Sequence, residues 1–317
     1  MSKKPVGPDA YNRAWIESAW GSQQHADVLS GAALQARPRV KRAIELAAIG
    51  AGQRVLDIAC GRGEVVAIAS EMGAYAIGLD FSPTVLGIAA ELKSDRASRN
   101  TTEGRMELVR ADACVLPFAD NSFDRITMLD IIEHLLPPQL DAMLQEVHRT
   151  LRPEGFAVIH TLPNRWVYDV TYPLMRRLMR TLPDNPRSDI EKEVHVNEQD
   201  LPSLHRTLNK NTLAHRLWLE QHMPAQARWT VATNQFGDNR DALYPALAGP
   251  LGRALDYLSM TPLKLFLCND IFGLLWKGAR PNAARLKFSP LAQIACLFPA
   301  RQPNGDRRPS QHEHNKP

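Results

Sequence analysis

The stretch VLDIACGRGEVV, Val55–Val66, places an acid, Asp57, just ahead of two glycines, Gly61 and Gly63, that are separated by a single residue. Glycines so placed either reach positive φ or let another group approach the main chain with no Cβ in the way. A second acid, Asp80, follows 17 residues after Gly63. Doubly wound nucleotide-binding folds place an acid there to accept hydrogen bonds from both ribose hydroxyls. Two histidines, His134 and His195, offer the side chain that exchanges protons near neutrality and are the candidate general bases. His160 lies on an apolar strand and reads as a satisfied core histidine.

These residues need a scaffold that brings strand ends together. From about residue 53, strand and helix patterns alternate, which predicts an α/β fold with a parallel sheet. QRVLDIA, AYAIGLD, MELVRAD, FDRITMLD and FAVIHTLP read as five strands, with ARWTVATNQ and LFLCNDIFGLLWKG as a last pair. Ser82 caps the helix after Asp80, with Pro83 in its first turn. PQLDAMLQEVHRTL is a further helix, and Gly155 in RPEG suits its C-terminal cap. The pattern VKRAIELAA, with Tyr11, Trp15 and Trp20 ahead of it, predicts a helical segment over residues 1–50. Residues 51–164 form the core and 165–224 an insertion or lid. Residues 225–280 complete the sheet, and the polar, Pro-rich 281–317 form a partly disordered tail.

Two competing motifs fit poorly. A phosphate-binding P-loop needs GxxxxGK, and neither the spacing nor the lysine follows Gly61. A dinucleotide fingerprint needs a third glycine where Val66 stands. The segment Asp57-Ile58-Ala59-Cys60-Gly61-Arg62-Gly63 instead resembles the first motif of the class I S-adenosylmethionine-dependent methyltransferases, with Ala59 a mild departure at its small position. Asp112-Ala113, FADNSFDRITMLDIIEHLL and LRPEGFAVI resemble later pieces of that family in the same order, so the likeness spans Gln53 to Pro163. It is to the small-molecule branch that includes ubiquinone-type methyltransferases.

The resemblance implies a Rossmann-like, doubly wound, seven-stranded, mostly parallel sheet with a helical N-terminal segment and a helical insertion after the fifth strand. It implies S-adenosylmethionine as cofactor. Gly61 and Gly63 would admit its amino-acid arm, with Asp57 holding the turn or the amino group. Asp80 would take the ribose, with Phe81 beside adenine and Asp112 facing its amino group. Ala59, Ala113 and Leu129 complete the implied cofactor wall. The insertion is where acceptor choice should lie. In YPLMRRLMRTL, Leu174, Met175, Leu178, Met179 and Leu182 share one helical face, with Arg176, Arg177 and Arg180 on another. With Trp166, Tyr168 and Tyr172 ahead of it, Leu178 and Met179 are expected to cover a small or lipid-like acceptor, methylated at oxygen, or to meet a membrane surface. Packing of that helix on its own domain is the plainer alternative.

Composition narrows the partners. A chain of 317 residues, 44% hydrophobic and 23% charged, can bury a full core. A formal charge of +4 with scattered Lys and Arg argues against nucleic acid. The absence of an Asn/Asp-Pro-Pro-aromatic motif after the fourth strand argues against base-amine or glutamine methylation. Cys60, Cys114, Cys268 and Cys296 form no CxxC pair, so no metal is expected, and a reduced, cytoplasmic setting fits. No signal peptide or membrane span is read, since Tyr244 to Trp276 is cut by Pro250, Arg253, Asp256, Pro262 and Lys264. The rivals are a nicotinamide-dependent oxidoreductase and a binding protein that keeps the pocket without turnover.

Overall fold

The computed structural model describes residues 4–12, 38–98, 104–178, 189–220 and 261–278, with a few single positions between them. A helix α1 (Pro38–Ala47) leads into β1 (Arg54–Ile58), α2 (Glu64–Glu71), β2 (Tyr75–Asp80), α3 (Pro83–Ser98), β3 (Arg105–Arg110) and β4 (Phe123–Leu129). A single helical turn (Ile132–His134), α4 (Pro137–Thr150) and β5 (Leu151–Thr161) follow. The chain continues through a wide helical turn (Val167–Thr171), α5 (Tyr172–Leu178), α6 (Asp189–Val194), α7 (Leu201–Lys210), β6 (Ala214–Glu220), α8 (Lys264–Leu267) and β7 (Asp270–Trp276). The seven strands form one sheet in the order β3-β2-β1-β4-β5-β7-β6. Neighbours from β3 to β5 are parallel, and β7 runs antiparallel to both β5 and β6. Strand order reverses between β1 and β4. In doubly wound sheets a ligand crevice opens at the carboxyl ends of the strands beside that reversal.

The central strands are buried on both faces, as parallel strands covered by helices must be. Leu56, Ile126, Met128, Ile159 and Leu144 pack in one layer of core, with Ala43, Ala67, Ala76, Val158 and Trp218 in the other. The β1–α2 turn alternates: Ala59, Gly61 and Gly63 all have positive φ (57°, 54° and 82°). Ser82 caps α3 through Val85 N–H, as its position implied.

The structure corrects two expectations from the sequence. Gly155 does not cap a helix: α4 ends at Thr150, and residues 151–155 already belong to β5, whose register against β4 shifts at this point. A Cβ at Gly155 would lie 2.8 Å from the Asp124 carbonyl oxygen, so its bareness permits strand contact. The sixth strand is AHRLWLE, inside the span read as insertion, and the insertion proper therefore ends before residue 214. ARWTVATNQ, Trp15, Trp20, Met179, Leu182, Cys296 and the 282–317 tail lie outside the described residues.

Candidate active site

A cleft opens at the carboxyl edge of β1 to β4, with ≈ 1280 Å³ of empty space, mouth included. Asp57, Ala59, Gly61, Asp80, Phe81, Asp112, Ala113 and Leu129 all line it, as does His134. These were expected from the sequence, and the strand ends bring them together.

Asp57 is 3% exposed, and its Oδ1 accepts a 2.6 Å hydrogen bond from Thr127 Oγ1 on the neighbouring β4. Burial pushes its carboxyl up to about 7 against the pull of that hydrogen bond, and the negative charges of Asp80 and Glu64 push the same way. Asp80 accepts from Gly61 N–H (3.2 Å) through Oδ2 and from Ser82 N–H (2.9 Å) through Oδ1. Burial raises its pKa, and these backbone donors resist the rise. Asp112 Oδ1 accepts from Cys114 N–H at 2.8 Å.

Gly63 behaves differently from Gly61. A Cβ there would meet Met106 Cε at 3.1 Å and Ala89 Cβ at 3.3 Å, so its bare side faces the packing between α2, α3 and β3. Gly63 turns the chain into α2, and Gly61 lies at the cleft.

The expected acceptor residues are not gathered at the cleft. Trp166 stacks on Phe266 with centroids 5.1 Å apart, and Tyr168 lies 5.0 Å under the Arg187 guanidinium. Tyr172 is buried in the fold, and Leu178 is 82% exposed. None of the four is among the described residues that line the cleft, so α5 does not cover it as a lid would. Leu178 projects into solvent at the end of α5, and no described residue of that helix lines the cleft.

Several residues at the cleft carried no expectation. Tyr11 sets its ring edge-on to Phe81 (5.6 Å) and to His134 (5.8 Å), so residues 4–12 form part of the wall. Asp130, in the left-handed region at φ 57°, directly follows β4, much as Asp80 closes β2. Its Oδ2 pairs with Arg39 at 2.8 Å, and its Oδ1 meets His160 Nδ1. An acid closing the fourth strand was the signal available for it. Five carboxylates (Asp57, Glu64, Asp80, Asp112 and Asp130) and two guanidiniums (Arg39 and Arg62) line the cleft among the described residues. The excess of negative charge favours a cationic ligand.

His160 is fully buried, and its other nitrogen lies 2.9 Å from Asp270 Oδ1. Both neighbours can only accept when ionised, so the ring must donate from both nitrogens, which the imidazolium alone can do. Burial pulls the ring toward neutrality, and the two carboxylates outweigh it and raise its pKa to about 9. A raised folded-state pKa stabilises fully below the unfolded value near 6.5, and that contribution is lost as pH climbs through about 9. Parent and His160→Gln, compared by urea unfolding, should therefore differ most at pH 6, with the difference shrinking by about 3 kcal/mol by pH 10. A difference that stays flat with pH would mean a neutral ring.

His134 and His195 meet edge-to-face, 5.0 Å between centroids. His134 Nδ1 lies 3.2 Å from the Val194 carbonyl oxygen, which can only accept, so the proton sits on Nδ1. Burial, and then the charge of His195, push its pKa down to about 3. His195 Nδ1 is 3.5 Å from Glu198 Oε1. Its pKa is raised: burial opposes charge, and Glu198, Glu133 and Glu191 overcome burial. Asn197 N–H also bonds the Glu133 carbonyl at 2.9 Å, so residues 194–197 are stitched to the turn after β4. Among the described residues no helix is long and apolar enough to cross a membrane.

With this geometry in hand, the known proteins are informative. Residues 56–159 match the family described as a methyltransferase domain. The chain is similar to an uncharacterised methyltransferase of Synechocystis, 33% identical over 127 residues, 39% of this chain and 55% of that protein. It is 37% identical over 107 residues to the ubiquinone/menaquinone biosynthesis C-methyltransferase UbiE of Rhizobium leguminosarum, 33% of this chain and 39% of that protein. The chain thus spans about half the length, or less, of these curated relatives. Geranyl diphosphate C-methyltransferase from Streptomyces coelicolor shares the fold, with a TM-score of 0.55, 13% identity, and coverage of 87% of this chain and 90% of that one.

Proposed function

We propose that this chain, whose residues 56–159 match the methyltransferase-domain family, is a class I S-adenosylmethionine-dependent methyltransferase that transfers a methyl group to oxygen on a lipid-like acceptor. The observation that carries the reading is the anionic cleft, where Asp57, Asp80 and Asp112 stand at three successive strand ends around the bare turn at Gly61. The donor set fits the cofactor. Asp80, its carboxylate fixed by Gly61 and Ser82 N–H, would hold the ribose hydroxyls, and Asp57 the ammonium end. Asp112 and Phe81 would flank the adenine.

When bound, S-adenosylmethionine supplies a methyl group already activated on a sulfonium. What remains for the protein is alignment and exclusion of water. His134, with its proton committed to the Val194 carbonyl, presents Nε2 to accept a hydrogen bond from a hydroxyl acceptor. Its lowered pKa makes it an orienting group and a poor store for the proton. His195 stands behind it.

The lipid-like character of the acceptor is supported by apolar side chains left in solvent. Leu174 (59%) and Leu178 (82%) are exposed on α5 beside Arg176 and Arg177, and Leu263 (50%) is exposed just ahead of α8. Trp166 stacked on Phe266 ties the two segments. The Rhizobium relative is named for quinone biosynthesis. Incubation with radiolabelled S-adenosylmethionine and a lipid extract should label the organic phase, with product mass and NMR locating the methyl. Label confined to the aqueous phase overturns the lipid acceptor. A carbon-bound methyl, the transfer named for the Rhizobium relative, overturns the oxygen assignment.

Surface contact is tested separately. The chain should co-sediment with anionic vesicles in a salt-sensitive manner, and Leu174→Ser with Leu178→Ser should cut the bound fraction severalfold. Equal sedimentation of parent and variant would remove the membrane from the reading.

A further inference from the structure

The turn after β4 and the end of α6 hold three groups that the fold brings together from distant parts of the chain. Glu133, His134 and His195 each offer one ligand atom, and these atoms lie within 4.8 Å of one another. From the geometry we propose a binding site for one divalent transition-metal ion, zinc or its first-row neighbours, held by Glu133, His134 and His195 at the edge of the cleft.

The donor set decides the class of ion. Two imidazoles and one carboxylate suit zinc, cobalt, nickel, manganese or iron(II), whereas magnesium and calcium favour all-oxygen shells. Tetrahedral zinc with bonds near 2.05 Å holds its ligands about 3.3 Å apart. The observed spread closes to that by side-chain rotation of roughly 1.5 Å.

The surroundings are those that metal ligands require. A ligating histidine gives its other nitrogen to a carbonyl or carboxylate, which fixes the tautomer and aims the ring. His134 Nδ1 bonds the Val194 carbonyl (3.2 Å), and His195 Nδ1 faces Glu198 Oε1 (3.5 Å). Glu198 is itself fixed by the Arg187 guanidinium at 2.8 and 2.9 Å from Nε. Glu133, 1% exposed, accepts from Thr161 Oγ1 (2.6 Å) through Oε2. A buried carboxylate beside two imidazoles, each backed by its own acceptor, is a costly arrangement that a cation would offset.

Position gives the ion a use. His134 lines the cleft and Glu133 is its buried neighbour, and a tetrahedral ion with three protein ligands keeps one position for an outside ligand. An acceptor hydroxyl placed there would be polarised and held for transfer by the ion, which takes the His134 Nε2 lone pair in place of the direct hydrogen bond to that hydroxyl. That use rests on the methyl-transfer reading; the binding of the ion does not.

The test is a titration of chelator-treated full-length chain with Co²⁺, followed by its visible d–d absorption, with competition by Zn²⁺ and metal analysis after dialysis. One equivalent should give a saturating band that one equivalent of Zn²⁺ removes. Glu133→Gln and His195→Gln should each weaken binding at least tenfold, and Glu198→Gln, which acts only through His195, by about tenfold. His148→Gln, remote from the cluster, should leave it unchanged. S-adenosylmethionine affinity of each variant reports independently on the cofactor site. The proposal fails if the parent shows no saturable band at one equivalent, or if folded His195→Gln binds Co²⁺ as tightly as the parent. The parent titration stands alone should a variant not fold.

Discussion

Gly63→Val is expected to destabilise the chain by about 2–5 kcal/mol. Two costs combine. At φ 82° a β-branched residue enters the left-handed region, at about 1–2 kcal/mol. Its Cβ would also stand 3.1 Å from Met106 and 3.3 Å from Ala89, with two further methyls to place in a packed layer, at about 1–3 kcal/mol. Urea unfolding of parent, Gly63→Ala and Gly63→Val should give a graded loss, with valine the most severe. A valine variant that unfolds within 1 kcal/mol of the parent while binding S-adenosylmethionine poorly would show instead that the side chain enters the cleft. The sequence motif alone suggests that second outcome, because it treats both glycines as approach points for a ligand.

Asp80→Ala is expected to weaken S-adenosylmethionine binding by ten- to a hundredfold. On the proposed assignment two ribose hydroxyls would lose a charged acceptor, worth about 1.5–3 kcal/mol, and each 1.4 kcal/mol is a factor of ten. The Gly61 and Ser82 amides lose their shared partner as well, so the turn that meets the ligand is no longer fixed. Calorimetry should register the loss, and a 2′-deoxyribose analogue should bind the parent more weakly than the natural ligand does. Unchanged affinity in Asp80→Ala, or no discrimination against the deoxy analogue, would remove Asp80 from the ribose.

The half of the chain around the cofactor cleft was legible because period and punctuation coincide there. Apolar runs end in acids and glycines, and the short loops leave each strand end one possible neighbour. Asp57, Asp80 and Asp112 could be read for that reason, and Asp130 follows the same rule. Arg39 and Tyr11 could not, since they reach Asp130 and Phe81 from the N-terminal segment across 91 and 70 residues of chain, and no local spacing records those contacts. Glu133 and His195 are likewise joined only by the docking of the insertion. The sixth strand was missed because AHRLWLE carries no β-branched residue and follows closely on a helix, while the more β-branched ARWTVATNQ drew the assignment. For Leu178 the apolar helical face left two outcomes open, packing on its own domain or contact with an outside apolar partner, and period alone does not choose between them; in the fold the side chain is exposed.

The stitching of residues 194–197 to the turn after β4, through the Val194 carbonyl and the Asn197 amide, makes one object of two regions that sequence keeps apart. His134 belongs to the cleft wall and to that seam at once. An occupant of the cleft that favours the docked seam therefore also favours whatever the insertion holds, and linkage makes the effect reciprocal and equal in free energy. Order of binding then follows from whichever occupant meets the larger cost of docking, since the first to arrive meets it for both.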